Sequence, residues 1–285
     1  MTSKLAITGV RLAAVGLLGA AASTTAFAQA QGLLDNPFVF NLGVFVLGTD
    51  VKGNLNGTAS GSNQQVDFDR DFGKAGDASR ARVDALWRIN PKHHLRFLYF
   101  DNDSTRNRVI DRDIAWGDYT FKAGGNVETK VKYEVYELAY EYAFMRTPTY
   151  EVAASFGIHN EHFNTRLTGN ATITDANGNV SAASASTESN SVSAPLPVIG
   201  LRGGWVVAPQ WYLDGQVQLF KVNVNGIDGN WTDLRLGGTW MFSKNFGVGL
   251  GYNRFYTHVD VNKSNFNGNL KFGYQGVQAY LTGTF

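Results

Sequence analysis

Hydrophobic and polar residues alternate with period two through ten segments of this 285-residue chain, near 37–50, 79–89, 93–103, 129–144, 150–166, 195–207, 211–225, 230–242, 246–260 and 269–285. That is the period of a strand with one apolar and one polar face. The last segment carries it to the final residue: Val277, Ala279, Leu281, Gly283 and Phe285 share one parity, Gln278, Tyr280, Thr282 and Thr284 the other. After the first thirty residues no stretch is apolar for the ~18 residues a membrane helix needs, so any membrane-inserted form is built from strands.

The connections between segments fall into two classes that alternate along the chain. Four are tight: Asn90-Pro91-Lys92, Arg146-Thr147-Pro148-Thr149, Ala208-Pro209-Gln210 and Ser243-Lys244-Asn245. Five are mostly longer and polar, around 51–78, 104–128, 167–194, 226–229 and 261–268. Strict alternation puts every tight turn at one end of the sheet. Ten is an even number, as single-chain bacterial barrels require. The pattern predicts an all-β fold over residues 29–285: a closed antiparallel transmembrane β-barrel of ten strands, with short periplasmic turns and longer extracellular loops.

Charge decides which face meets lipid. In 79–89, Ala81, Val83, Ala85, Trp87 and Ile89 oppose Arg80, Arg82, Asp84, Leu86 and Arg88. An Arg facing lipid near the midplane costs about 2–4 kcal/mol, so the Ala81 parity faces out. The same argument turns Trp211, Leu213, Gly215, Val217 and Leu219 outward, and likewise Leu234, Leu236, Gly238, Trp240 and Phe242. Outward Trp87, Tyr142, Phe144, Tyr150, Trp205, Trp211, Trp240, Phe242 and Phe246 all lie near tight turns and form one interfacial girdle. A soluble β-sandwich also alternates, but has no reason to collect exposed aromatics at one end.

The first residues read as a leader. Lys4 and Arg11 precede an apolar run from Leu12 to about Ala22 and a small-x-small site, Ala26-Phe27-Ala28, which predicts a cleaved signal peptide over 1–28, with Ala30 as the second choice of cut. Removing Lys4 and Arg11 takes the formal charge from +1 to −1. With no cysteine, the exported chain is not a disulfide scaffold. Near-neutral charge gives no reason to expect a nucleic-acid partner.

The terminal Phe285, preceded by Leu281, Ala279 and Val277, resembles the carboxy-terminal signal that outer-membrane barrels present to their insertion machinery; Gly283 departs from the bulkier residue usual there. Further stretches, "NPKHHLRFLYFD" (90–101), "DRDIAWGDYTF" (111–121), "SAPLPVIGLRGGW" (193–205), "VGLGYNRF" (248–255) and "YQGVQAYLTGTF" (274–285), resemble proteobacterial outer-membrane barrels of the small porin-like, OmpA/OmpW-like class. The resemblance implies a Gram-negative outer membrane, with its lipid and lipopolysaccharide as partners, and carries no activity.

Parity places Arg82, Asp84, Arg88, Arg96, Glu137, Glu141, Glu151, His159, Glu161, Arg202, Asp214, Asp233 and Arg235 in the lumen. Five arginines among seven carboxylates in a narrow interior are expected to pair. The chain therefore reads as a structural barrel or a narrow small-solute or ion channel with a charged lumen. Inward Gly43, Gly157, Gly200, Gly204, Gly247, Gly249 and Gly251 would leave room for a pore, or permit the curvature of a small barrel.

Two alternatives belong to other classes. A lipid A-modifying or protease-like barrel enzyme needs a His with a carboxylate or hydroxyl near the outer rim. His159 with Glu161, Asp101 with Asp103 and His258 with Asp260 are the candidates, none at a spacing that identifies a reaction. His159 and His162 of "HNEH" face opposite sides of a strand and cannot share a metal. No catalytic residue, metal or cofactor is assigned. The loops suggest surface recognition: 176–194 is Ser, Ala and Asn rich and reads as mobile, whereas Ile110, Ile114, Trp116, Tyr119 and Phe121 predict that 104–125 folds over the mouth as a lid. Outward Lys132, Arg254 and His258 could meet lipopolysaccharide phosphates. The barrel is expected to be a monomer.

Overall fold

A computed structural model describes residues 29–55, 65–74, 78–116, 119–174, 179–224, 227–263 and 266–285. The signal-peptide segment, 1–28, lies outside the described residues. A 3₁₀ turn (Gln29–Gln31) and the short helix α1 (Gly32–Asp35) lead into β1 (Phe38–Leu55). There follow β2 (Val66–Asp67), α2 (Phe68–Phe72), β3 (Ala78–Arg88), β4 (His93–Val109), β5 (Ile114–Trp116), β6 (Tyr119–Phe121), β7 (Asn126–Arg146) and β8 (Tyr150–Thr174). The chain continues through β9 (Val180–Ala208), β10 (Trp211–Val224), β11 (Ile227–Met241), β12 (Phe246–Lys263) and β13 (Phe266–Thr284).

Ten long strands make the wall in chain order, each antiparallel to its neighbours, and β13 returns to β1 from Val39↔Thr284 to Leu55↔Gly268. The sheet is therefore a closed antiparallel ten-stranded barrel. The four tight connections lie at one end, where prolines serve as turn residues: Pro91 and Pro148 sit between strands, and Pro209 stands at the β9–β10 turn.

Burial follows strand parity. On β1, Phe38, Phe40, Leu42, Val44 and Val46 are exposed, and Phe45, Leu47 and Val51 are buried inside. Those five outward apolar residues span the nine positions 38–46, which at about 3.3 Å each and inclined about 40° cover roughly 20 Å of height, close to the lipid band of an outer-membrane barrel. Tyr99 and Tyr136, ring centroids 4.8 Å apart, stand at the upper edge of this band with exposed Tyr256, a second aromatic row that the sequence reading missed. Above them the outward row turns polar: Asp101, Glu134 and His162, then Asp103, Lys132 and Asn164, lie side by side across β4, β7 and β8.

The outer half departs from expectation. Strand continues to Thr174 in β8 and begins at Val180 in β9, in unbroken pairing apart from a bulge at Gly169/Ala171. The segment read as a mobile loop, 176–194, is thus strand from Val180 onward; 176–178 lie outside the described residues. The physical reason is that a ladder held by backbone hydrogen bonds propagates from the barrel wall without needing an apolar face. Likewise β12 and β13 extend through 261–268 except for 264–265, and β4 extends to Val109.

Candidate functional site: the filled lumen

At the periplasmic end, the 3₁₀ turn and α1 form a plug. Leu33 and Leu34, with Ala30, are buried against Tyr212 and Met241. Arg88 donates to the carbonyls of Leu33 (2.6 Å) and Asn36 (3.0 Å). Arg146 donates to the Leu34 carbonyl (2.8 Å) and the Asp35 carboxylate (2.7 Å). Thr284 donates to the Gly32 carbonyl at 3.0 Å, and the Ala30 N–H to that of Pro209 at 2.9 Å. A one-turn helix leaves its carbonyls unpaired, and these arginines satisfy them.

Above the plug lies a layer of ion pairs. Arg202 bridges Glu141 (2.7 Å) and Glu151 (2.6 Å), with His94 Nδ1 3.9 and 3.8 Å from the same two carboxylates. Arg96 links this group, 3.9 Å from Glu141, to Asp84 at 3.3 Å. Arg235 then joins Asp84 (3.5 Å), Glu137 (2.7 Å) and Asp233 (2.8 Å). Arg82 pairs with Asp84 at 3.0 Å and donates to Asn253 at 2.8 Å, and Asn253 donates in turn to Asp233. Gln218 donates to Glu137 at 2.7 Å. Asp214 lines a cavity of about 60 Å³ among Arg88, Arg96, Arg202, Tyr212 and Tyr280, room for no more than a few waters. Of the thirteen residues named for the lumen, Arg82, Asp84, Arg88, Glu137, Glu141, Glu151, His159, Arg202, Asp233 and Arg235 are buried and Arg96, Glu161 and Asp214 half-buried. His94, Arg146, Gln218 and Asn253 also take part and were missed, although His94 shares the parity of Arg96 and Arg88 faces the same end.

An aromatic layer closes the charged one from above. Phe45, Phe100, Tyr133, Phe255, Phe272 and Tyr274 are buried in one cluster. Arg82 joins the two layers, its guanidinium carbon 5.4 Å from the Phe45 ring centre and 5.5 Å from that of Phe100. His159 lies edge-on to Trp231 at 4.9 Å, with Glu161 3.6 Å away.

The extracellular mouth is covered by α2 and the β5–β6 hairpin. Ile110, Ile114, Trp116 and Phe121 are buried there, and Trp116 packs edge-on to Phe68 at 5.4 Å. Asp71 latches the two pieces: it accepts from Arg70 at 3.0 Å on its own helix and from Arg112 before β5. Burial pushes the Asp71 carboxyl up, but hydrogen bonds from Arg112 and Arg70 outweigh that, and it lies below its ordinary value. Arg106 on β4 adds a 3.0 Å pair to Asp69.

The inward glycines do not open a pore. A Cβ on Gly249 or Gly43 would overlap Tyr280, and one on Gly204 would overlap the Tyr212 hydroxyl; at Gly200 it would meet Gln218, at Gly157 Ala139, at Gly247 Met241 and at Gly251 Gln278. The space beside these glycines is filled by neighbouring backbone and side chains, with tyrosine rings at Gly249 and Gly204.

The enzyme candidates do not converge. His159 is fully buried in the aromatic layer, and neither ring nitrogen has a hydrogen-bond partner among the described residues. Asp101 and Asp103 share the outward parity of β4, and His258 pairs with Asp260 at 3.0 Å on the outward side of β12. His159 and His162 occupy opposite faces of β8. Outside, Lys132 pairs with Glu134 at 2.8 Å, and Arg254 is exposed. Of the residues assigned to the girdle, Trp87, Tyr142, Phe144, Tyr150, Trp205, Trp211, Phe242 and Phe246 are exposed and Trp240 half-buried; Val277, Ala279, Leu281 and Phe285 are exposed on β13 and at its end.

No protein-family model and no curated protein matches the chain. Among solved structures it is similar to the outer membrane protease OmpT from Escherichia coli, with a TM-score of 0.59 and 12% identity over 88% of this chain and 97% of that one. The toluene transporter TodX of P. putida gives 0.39 at 7% identity, covering 91% and 92%. The attachment invasion locus protein Ail of Yersinia pestis gives 0.33 at 7%, covering 86% and 98%. The fold is that of outer-membrane β-barrels.

Proposed function

We propose that this chain is an outer-membrane barrel with a closed lumen, serving as a structural anchor that carries a β-sheet extension outside the membrane. The observation that carries this reading is the stacking of plug, ion-pair layer, aromatic layer and lid along one axis among the described residues, with a cavity of only about 60 Å³ beside Asp214 where a pore would need a continuous path. A ten-stranded barrel is only slightly wider than one that side chains fill, so large inward residues suffice to close it. In this reading a leader over 1–28 is removed on export, the basal aromatics and the tyrosine row hold the barrel at the two interfaces, and Val277, Ala279, Leu281 and Phe285 are read by the insertion machinery. Lipopolysaccharide meets the outward charged rows near Lys132, Arg254 and His258, and the protein is a monomer. Single-channel recording of the refolded protein in a planar bilayer tests the proposal. Silence is expected, with Arg82→Ala and Glu137→Ala compared alongside. Stable unitary steps whose selectivity shifts in those variants would replace it with a narrow channel.

A second reading, surface recognition, is favoured by the height of the β8–β9 hairpin. From Glu161 onward its paired residues lie above the lipid band, far more strand than anchoring requires.

A further inference from the structure

The wall is not equally tall all round. β9 pairs with β8 along its length from Val180 to Trp205, but with β10 only from Ile199 to Ala208. β10 ends at Val224, so β9 rises above the β10–β11 hairpin with one side open. Among the described residues, no strand pairs with the β10-facing edge of 180–198. These 19 residues are on the order of 60 Å of strand at ~3.3 Å each.

Exposed edges are normally blunted by prolines, charges or bulges, because their free N–H and C=O groups accept another strand. Pro195 and Pro197 do this at the foot of the edge, just where pairing with β10 stops. From Val180 to Ala194 the sequence has no proline and no lysine, and Glu188 is its one charged residue. The same segment stands in the aqueous half of the wall, with Ser181 and Ser191 exposed.

We propose that the free edge of β9, residues 180–194, is a docking site for an extended, neutral to weakly basic peptide segment of an extracellular protein, which adds to the wall as a further strand. The inference rests on the surface-recognition reading. The occupant is a foreign segment and not a second copy, for a geometric reason. Copies in one membrane are related by an axis along the membrane normal. Their β9 strands, each inclined by about 35–45°, descend in the same sense and cross at about twice that angle, so they cannot share a ladder. Backbone hydrogen bonds supply the affinity.

The test uses the refolded full-length mature protein in detergent and a fluorescein-labelled twelve-residue peptide of alternating Thr and Val with a Lys at each end. Fluorescence polarisation should give saturable binding. Hydrogen exchange should show 180–194 exchanging faster than β13 in the free protein and slowing when peptide is added, with β12 and β13 unchanged. Ser191→Pro and Val192→Pro are compared, because one of two adjacent amides points out of the sheet. The variant that keeps heat-modifiable barrel mobility should bind at least tenfold more weakly. Exchange of 180–194 already as slow as β13 in the free protein would overturn the proposal, as would binding unaffected by a folded proline variant. Cross-linking of two copies through a single Ser191→Cys within one vesicle would also overturn it by naming a different occupant; the chain has no other cysteine to interfere. If edge binding holds while the protein fails to enter vesicles, the membrane placement falls and the docking site stands.

Discussion

Arg202 is a residue whose removal should cost the barrel heavily. It makes contacts of 2.7 and 2.6 Å with Glu141 and Glu151, whose side chains are both without solvent exposure. The next cations stand farther off, Arg96 3.9 Å from Glu141 and Arg146 3.6 Å from Glu151. Arg202→Met preserves most of the volume and leaves two buried carboxylates short of a partner. Breaking a buried ion pair from one side costs about 3–5 kcal/mol, because the remaining charge stays desolvated. Replacing the whole group by well-packed hydrophobic residues of similar volume is often close to neutral. Arg202→Met should therefore lower the unfolding free energy by about 3–5 kcal/mol, and the triple variant Arg202→Met/Glu141→Met/Glu151→Met should recover most of the loss. Urea titration of protein refolded into lipid vesicles, followed by tryptophan fluorescence and by the heat-modifiable gel shift, measures all three on one scale. A loss below about 1 kcal/mol in the single variant, or a triple variant less stable than the single one, would refute the claim that this layer is a mutually compensating buried network.

Three further outcomes are expected. Trp116→Ala removes the ring that packs on Phe68 and should weaken lid closure by about 3 kcal/mol, roughly a hundredfold in lid opening, read as faster protease cleavage between 66 and 125 with the barrel core intact. Because the Asp71 carboxyl lies below its ordinary value when the lid is latched, its contribution is present above about pH 4 and is lost as pH falls through the lowered value; pepsin should cut the lid increasingly below pH 4, and Asp71→Asn should cut readily across the whole acid range. Gly249→Ala should destabilise by about 1–3 kcal/mol through overlap with Tyr280, and combining it with Tyr280→Ala should cost less than the sum of the two, as urea titration of both singles and the double would show.

The lower barrel was legible because lipid enforces a sharp contrast. Arg82 and Asp84 against Val83 and Ala85 leave one orientation open, and turns with Pro91, Pro148 and Pro209 punctuate the strands. Above the lipid band both faces meet water or a mixed interior, so period two fades, and the strands at 167–174 and 180–194 read as loop. The charged residues of the lumen could be placed by parity alone, but their pairing could not: Arg235 meets Glu137 and Asp84 across the barrel, a relation set by shear between strands rather than by sequence spacing. The plug was missed because residues 29–35 are too few to show a period. The glycines left two readings open because sequence records the absent side chain and not the neighbour that fills its place, such as Tyr280 at Gly249 or Tyr212 at Gly204.

The pairing of β1 with β13 bears on the order of assembly. Val39 pairs with Thr284, about 245 positions later, and closing a loop of that length costs on the order of 5 kcal/mol in chain entropy. Every other strand pairing in the wall joins neighbours in sequence, so the hairpins can zip progressively while this one contact waits for the last strand. The carbonyls of the plug are held by Arg88 from β3, Arg146 from β7 and Thr284 from β13. A full set of those donors exists only in the finished ring, which makes the plug a latch that engages after circularisation and slows the first step of its reversal.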